Sequence, residues 1–348
     1  MIKFIKKTAI FVVPFFLVYA LNIILYEKKL DGDLARVSYL YNNPSPNKNV
    51  YNKLIPLTKK YTLVSKLNFS SNNNFDVMSI GDSFSEGESF GYQNFLAHKN
   101  NNVLHFDGYL SGVNPIQRLI ELINGGFFDV VKVNYVVLES VERMFVVRFE
   151  NISFNKSISM DSIKNLIKNK KNSIPKKEIN FFSNAIFKIP LTNIQYYYTN
   201  KPKYSLAYKV ETNKNNLFSN NPDNLLFSDE DVISMKFNND SLKIVAANNL
   251  LNKINTLLLK KNIKLIVLIC PDKYDLYYNY ILDKKKFEKP MFFNYYNQLK
   301  KEYIYIPSME ILSRELTKNK DVYFYGDTHW TPMSAKIIAN EISKKVKF

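Results

Sequence analysis

The stretch Phe75-Asp76-Val77-Met78-Ser79-Ile80-Gly81-Asp82-Ser83-Phe84-Ser85 narrows the possible folds more than any other in the chain. Residues 75–80 read as a buried strand, and the residues after them as a strand-to-helix turn. A serine on such a turn points its hydroxyl out of the carboxyl edge of a parallel sheet, where α/β folds keep their chemistry. A serine hydroxyl is a poor nucleophile and needs a base. The chain has three histidines, His98, His105 and His329. His98 lies in a polar Lys-Asn stretch and His105 within a predicted strand. His329 sits in Gly326-Asp327-Thr328-His329-Trp330-Thr331-Pro332, near the C-terminus. Ser83, His329 and Asp327 are therefore read as one hydrolase-type triad: nucleophile, base, and the acid that holds the imidazole tautomer.

The rest of the pattern supports a sheet with such an edge. Apolar runs at 103–106, 135–138, 265–269 and 303–306 read as further buried strands. Helical periodicity or helix signals fall at 92–97, 116–123, 241–261, 293–301 and 334–346, with Pro115 suited to a first helical turn. Strands alternating with helices predict an α/β, three-layer α/β/α fold on a mostly parallel five-stranded sheet. Residues 150–240 are rich in Lys, Asn, Ser and Tyr without a clear period, including Tyr196-Tyr197-Tyr198, and read as an inserted cap. The predicted organisation is 1–27 as an N-terminal segment, 28–70 as a stalk, and 71–348 as the catalytic domain with a cap at about 150–240.

Lys3, Lys6 and Lys7 precede an uncharged, mostly apolar run from Thr8 to Tyr26. The run reads as a transmembrane anchor, and the charge asymmetry puts the bulk of the chain outside the cytoplasm. A cleaved signal peptide is the rival reading, since Val18 and Ala20 fit a small-residue cleavage rule. The run continues past them through Leu25, which favours the anchor.

The formal charge is +17, with 46% hydrophobic and 15% aromatic residues, a globular composition. The positive charge is nearly all Lys beside abundant Asn, and no segment clusters Lys with interleaved aromatics as a nucleic-acid module does. Nucleic acid is excluded as a partner on that ground. The single cysteine, Cys270, ends an apolar run and reads as a buried small hydrophobe; it allows no internal disulfide. No His, Cys or carboxylate spacing suits a metal, and no cofactor motif is present. Arg is scarce, and Arg118, Arg143 and Arg148 fall close together near the expected site; their retention reads either as a need for the planar fork or as chance. Oxyanion donors are expected from the backbone N–H of Ser83, the backbone near Gly112, and the Asn114 side chain.

The Gly81-Asp82-Ser83-Phe84-Ser85 and Asp327-Thr328-His329-Trp330 blocks together resemble the SGNH (GDSL) hydrolase superfamily. The nearer likeness is to the AlgJ/AlgX-like alginate O-acetylation group, whose motifs Glu139-Ser140-Val141-Glu142-Arg143 and Pro271-Asp272-Lys273 also resemble. The likeness covers roughly 75–145 and 260–345. It implies an SGNH-hydrolase-like fold, with Ser83 as nucleophile, His329 as base and Asp327 as its partner. Asp82, Glu139, Arg143, Lys273 and Trp330 become candidates for substrate contact. It further implies transfer of acetyl groups to an exported polysaccharide outside the cytoplasmic membrane. The donor would be supplied by a multi-pass membrane acyltransferase. Three departures stand out: the Asp-x-His-Trp block follows the serine block, as in ordinary SGNH hydrolases, whereas in the alginate proteins it precedes it; the acid is two residues before the histidine, not three; and the Gly-x-Asn-Asp block of ordinary SGNH hydrolases is missing. A carbohydrate acetylesterase uses the same three residues with water as acceptor, and a non-catalytic glycan-binding factor is the reading from another class.

Overall fold

The computed structural model describes residues 1–22, 34, 61–71, 73–86, 91–99, 102–112, 114–172, 194, 198–199, 207–214, 216–219 and 223–346. Six of its strands form one sheet in which every paired neighbour is parallel. They are β1 (Thr62–Leu63), β2 (Asn73–Ile80), β3 (Val103–His105), β4 (Val131–Val141), β7 (Lys264–Cys270) and β8 (Ile304–Ile306), in the order β1-β3-β2-β4-β7-β8. Strands β5 (Ala207–Glu211) and β6 (Asn224–Ser228) form a separate antiparallel pair. The five strands expected from the sequence are all present. The sixth, β1, lies within the segment expected to be a stalk.

Alternation along the strands sorts the core into two layers of apolar contact. Val77, Val137, Ile266 and Leu268 face one side, and Met78, Ile80, Val136, Leu138 and Val267 the other. Helix α1 is Ile2–Asn22. Strand β2 ends in a one-turn helix α2 (Ser83–Glu86), followed by α3 (Tyr92–His98). Next come α4 (Pro115–Asn124), α5 (Glu142–Phe149) and α6 (Met160–Asn172). After β6 come α7 (Ser241–Leu259), α8 (Lys273–Tyr277), α9 (Ser308–Leu316) and α10 (Pro332–Lys345). Helices α3, α9 and α10 cover the first face, and α4, α5 and α7 the second. This is the expected α/β/α arrangement. Each fully buried aliphatic or aromatic side chain contributes roughly 1.5–3 kcal/mol by leaving water.

The β2-to-β3 connection leaves β2 on one side, and β4 leads to β7 on the other. The sheet order therefore reverses between β2 and β4, and the crevice at their carboxyl ends is where an open parallel sheet receives ligands. Ser83 stands at that point.

Other expectations are corrected. Glu139 is not in a loop after a strand: β4 runs on to Val141, so Glu139 and Ser140 are inside the sheet. Among the described residues no helix is long and apolar enough to cross a membrane, so the expected transmembrane helix is not supported. Helix α1 carries Lys3, Lys6 and Lys7 in its first two turns. Its uncharged remainder is about 15 residues, or about 22 Å, short of a ~30 Å hydrocarbon core. The end of the expected span, 23–27, lies outside the described residues.

Of the expected stalk, Leu34 is buried, and its N–H donates to the Gly326 carbonyl at 3.0 Å; 28–33 and 35–60 lie outside the described residues. In the expected cap, Leu225, Leu226 and Phe227 of β6 join the same core cluster as β7. Tyr196 and Tyr197 lie outside the described residues, while Tyr198 is exposed.

Candidate active site

Gly81 closes β2 because nothing larger fits. A Cβ there would stand 2.4 Å from Glu139 Oε2 and 2.6 Å from Ser85 Oγ. The turn after it is held from below by β4. Glu139 Oε2 accepts from the Asp82 N–H at 2.9 Å and from Ser85 Oγ at 2.8 Å. Asp82 Oδ2 accepts from the Val141 N–H at 2.8 Å and from Arg148 Nη1 at 2.7 Å. Arg148 also donates to Ser140 Oγ at 2.5 Å.

Burial works to raise the Asp82 pKa. The Arg148 charge and the hydrogen bonds from Arg148 and the Val141 N–H outweigh it, and the carboxyl is held below its usual range. Burial pushes Glu139 well above its usual range, and the Asp82 charge adds to the shift. Burial thus favours the neutral form of Glu139, whose Oε2 ties the Asp82 N–H to the Ser85 hydroxyl. Glu139 stiffens the serine turn.

Ser83 is left exposed at the head of this turn, and Phe84 beside it is buried. The Phe84 ring lies 4.8 Å from the His329 ring and meets Trp330 edge-on, also at 4.8 Å. Trp330 is fully buried and pairs with Tyr323 in an antiparallel bridge. Residues 322–325, apolar enough to suggest a strand, instead form one arm of this hairpin-like loop, closed by the Phe324 N–H to the His329 carbonyl at 3.1 Å. The loop brings His329 to Ser83, with Ser83 Oγ 2.7 Å from His329 Nε2.

Asp327 Oδ1 lies 2.6 Å from His329 Nδ1 and also accepts the His329 backbone N–H at 3.2 Å. With a carboxylate oxygen accepting at Nδ1, that nitrogen carries the proton, and Nε2 is the acceptor facing the serine hydroxyl. Asp327 and His329 are both buried, so water competes little for these bonds. Residues 246 positions apart thus form one chain of hydrogen bonds.

The remaining candidates have other employment. Asn114 does not stand ready as an oxyanion donor. Its Oδ1 accepts from the N–H groups of Ile116 and Gln117, capping α4, and its Nδ2 donates to the Arg148 carbonyl at 2.7 Å. Gly112 lies in the loop after β3 with φ of 65°, a backbone form that favours glycine. Asp82 and Glu139, expected to contact substrate, are occupied under the serine turn. Trp330 is a core side chain. Arg143 spends its guanidinium on Asp272, at 2.9 Å, and on Asp231 and Glu230, each at 3.4 Å. Lys273 is fully buried, and its Nζ donates to the carbonyls of Phe324 and Tyr325 at 2.7 Å and of Asp327 at 3.2 Å.

His105 is buried on β3 against Ser79 Oγ at 2.9 Å, and burial lowers its pKa to about 4, so it stays neutral in the core. Cys270 is a buried free thiol whose pKa burial pushes well up. Arg148 was not singled out as a site residue, although the scarcity of Arg and its closeness to Arg143 were a usable signal. Phe84 was hidden because its role depends on a loop far away in sequence.

No curated protein and no solved structure matches the chain. A family model does match, over residues 221–347; that span carries Lys273, Asp327 and His329, and Ser83 lies outside it. The model is described as an SGNH hydrolase-like domain of acetyltransferase AlgX, so residues 221–347 are similar to that domain.

Proposed function

We propose that the protein is an O-acetyltransferase that moves acetyl groups onto an exported or cell-surface polysaccharide through an acetyl-Ser83 intermediate. One observation carries this reading: Ser83 Oγ lies 2.7 Å from His329 Nε2, whose Nδ1 lies 2.6 Å from Asp327 Oδ1. In the first half-reaction the Ser83 hydroxyl proton passes to Nε2 as Oγ attacks the acyl carbonyl. The leaving group departs with that proton, and the acetyl group stays on Oγ. In the second, Nε2 takes the proton of a sugar hydroxyl, the sugar oxygen attacks the acetyl carbonyl, and the Ser83 hydroxyl is restored. Asp327 stays ionised and stabilises the imidazolium in both halves. The backbone N–H groups of Ser83 and Gly112 are the proposed donors to the tetrahedral oxyanion.

The likeness of residues 221–347 to an acetyltransferase AlgX domain supports transfer; a reaction site outside the cytoplasm and a membrane acyltransferase as acetyl supplier belong to the proposal. The exposure of Ser83 favours acetylesterase activity as the second reading, because water reaches the same oxygen.

The test incubates the protein with an acetyl-ester donor, with and without glycan oligomers. Released acetate and acetylated glycan are measured, the latter by mass spectrometry. Acetylated glycan that disappears in Ser83→Ala is the expected result. Acetate release indifferent to glycan would replace transfer with the esterase, and turnover unchanged in Ser83→Ala would remove the triad.

A further inference from the structure

Against the backbone of the loop that carries Asp327 and His329, an ammonium group is sealed into the protein. Lys273 begins α8, directly after β7, and none of its surface reaches solvent. Its hydrogen bonds go to three backbone carbonyls, those of Phe324, Tyr325 and Asp327. An ammonium has three N–H donors, and here each finds an acceptor. The Phe218 and Tyr325 rings stand 5.1 and 5.8 Å from Nζ and complete its surroundings.

Converging carbonyl dipoles repel one another unless a cation sits at their focus. The base of the loop is closed by the Tyr323–Trp330 bridge and the Phe324 N–H to the His329 carbonyl. At the tip the Leu34 N–H donates to the Gly326 carbonyl, and the tip must hold Asp327 so that its carboxylate meets His329 Nδ1. Lys273 grips the main chain of Asp327, and Asp327 grips the imidazole.

We propose that Lys273 is a positioning residue: its ammonium gathers the carbonyls of 324, 325 and 327 and thereby aims the Asp327–His329 pair at Ser83. The proposal rests on the triad reading above, and it goes beyond it by adding a group that touches none of the reacting atoms. It also gives the site a pH dependence. Burial lowers the Lys273 pKa to about 7, against the opposing pull of Asp327 and Asp321 from the loop and Asp231 from the segment after β6. A neutral amine keeps two N–H groups and turns a lone pair toward the third carbonyl, so deprotonation loosens the tip.

The experiment follows p-nitrophenyl acetate turnover by the full-length protein from pH 5.5 to 9.5, in wild type, Lys273→Met, Lys273→Arg and Ser83→Ala. Amide hydrogen exchange of peptides spanning 322–331 is measured beside it. Lys273→Met is expected to lower kcat at least tenfold with KM within twofold, and to speed exchange in 322–331. Wild type is expected to show a descending limb in kcat starting near pH 7. Lys273→Arg, ionised throughout, is expected to recover part of the kcat and to move that limb above pH 9.

A Lys273→Met enzyme with wild-type kcat per titrated serine and an unmoved limb overturns the proposal, even if it melts earlier. If Lys273→Met does not fold, Lys273→Arg decides: a limb left at the wild-type pH overturns it. Failure of the triad reading looks different. Ser83→Ala would then retain turnover, while exchange in 322–331 would still respond to Lys273.

Discussion

Asp327 stands two residues before His329, and that spacing lets one oxygen serve two donors. Oδ1 takes the backbone N–H of His329 in an Asx-type turn and the Nδ1–H of the same residue. The first bond fixes the main chain and the second the ring, which is the orienting task that the proposed mechanism gives to Asp327. The two residues should differ in cost. Asp327→Asn leaves the base in place but disturbs its tautomer, whereas His329→Ala removes it. By analogy with serine proteases, kcat should fall by about 10⁴-fold for the first and about 10⁶-fold for the second. Steady-state rates on one chromogenic acetyl ester check the order. If Asp327→Asn proves the costlier, the orienting acid is a different residue.

At the scale of elements, Asn114 shows how a side chain can be claimed by local structure before it reaches a site. It precedes Pro115 at the start of α4, and its Oδ1 takes two of the N–H groups the first turn leaves free. Asn114→Ala should therefore cost about 1–2 kcal/mol of stability, a melting shift of a few degrees, with kcat unchanged. An oxyanion donor lost at this position would instead lower kcat by about 10²–10³-fold, so melting and kinetics together separate the roles.

The same distinction explains what the sequence disclosed. Strands β2, β3, β4, β7 and β8 were legible because apolar runs bounded by turn residues carry a local signal. The approach of His329 to Ser83 was legible from the Gly-Asp-Ser and Asp-x-His blocks, although residues 322–325, which precede His329, lie in a hairpin-like loop and not in a strand of the sheet. Strand β1 was not legible: two residues pair with β3 from a polar stretch. The work of Glu139, Arg148 and Lys273 was not legible either. A charged residue after an apolar run reads alike whether it points at substrate or at buried backbone. The decision comes from tertiary packing, which supplies Asp82 to Arg148 and three carbonyls to Lys273.

At the scale of the whole molecule, the chain carries 48 basic and 31 acidic residues, yet acids gather inside it. Glu142, Asp231, Asp272 and Asp275 are all buried near the carboxyl ends of β4 and β7; Arg143 pairs with Asp231 and Asp272, and Glu142 accepts from the Asp272 N–H. Burial raises the Asp275 pKa to about 7, and the Asp231 charge adds to the shift. A carboxyl whose folded pKa lies above its unfolded value of about 4 binds more protons in the folded state between those pH values. Its contribution is full below pH 4 and is lost as pH rises through about 7. Asp275→Asn removes this titration while keeping the size of the side chain. The difference in melting temperature, variant minus wild type, should thus be more positive at pH 8 than at pH 5. Calorimetry at the two pH values measures it. Equal differences would mean that Asp275 is ionised to the same extent in the folded and unfolded chain, and that the buried acids impose no pH dependence on the fold through this residue.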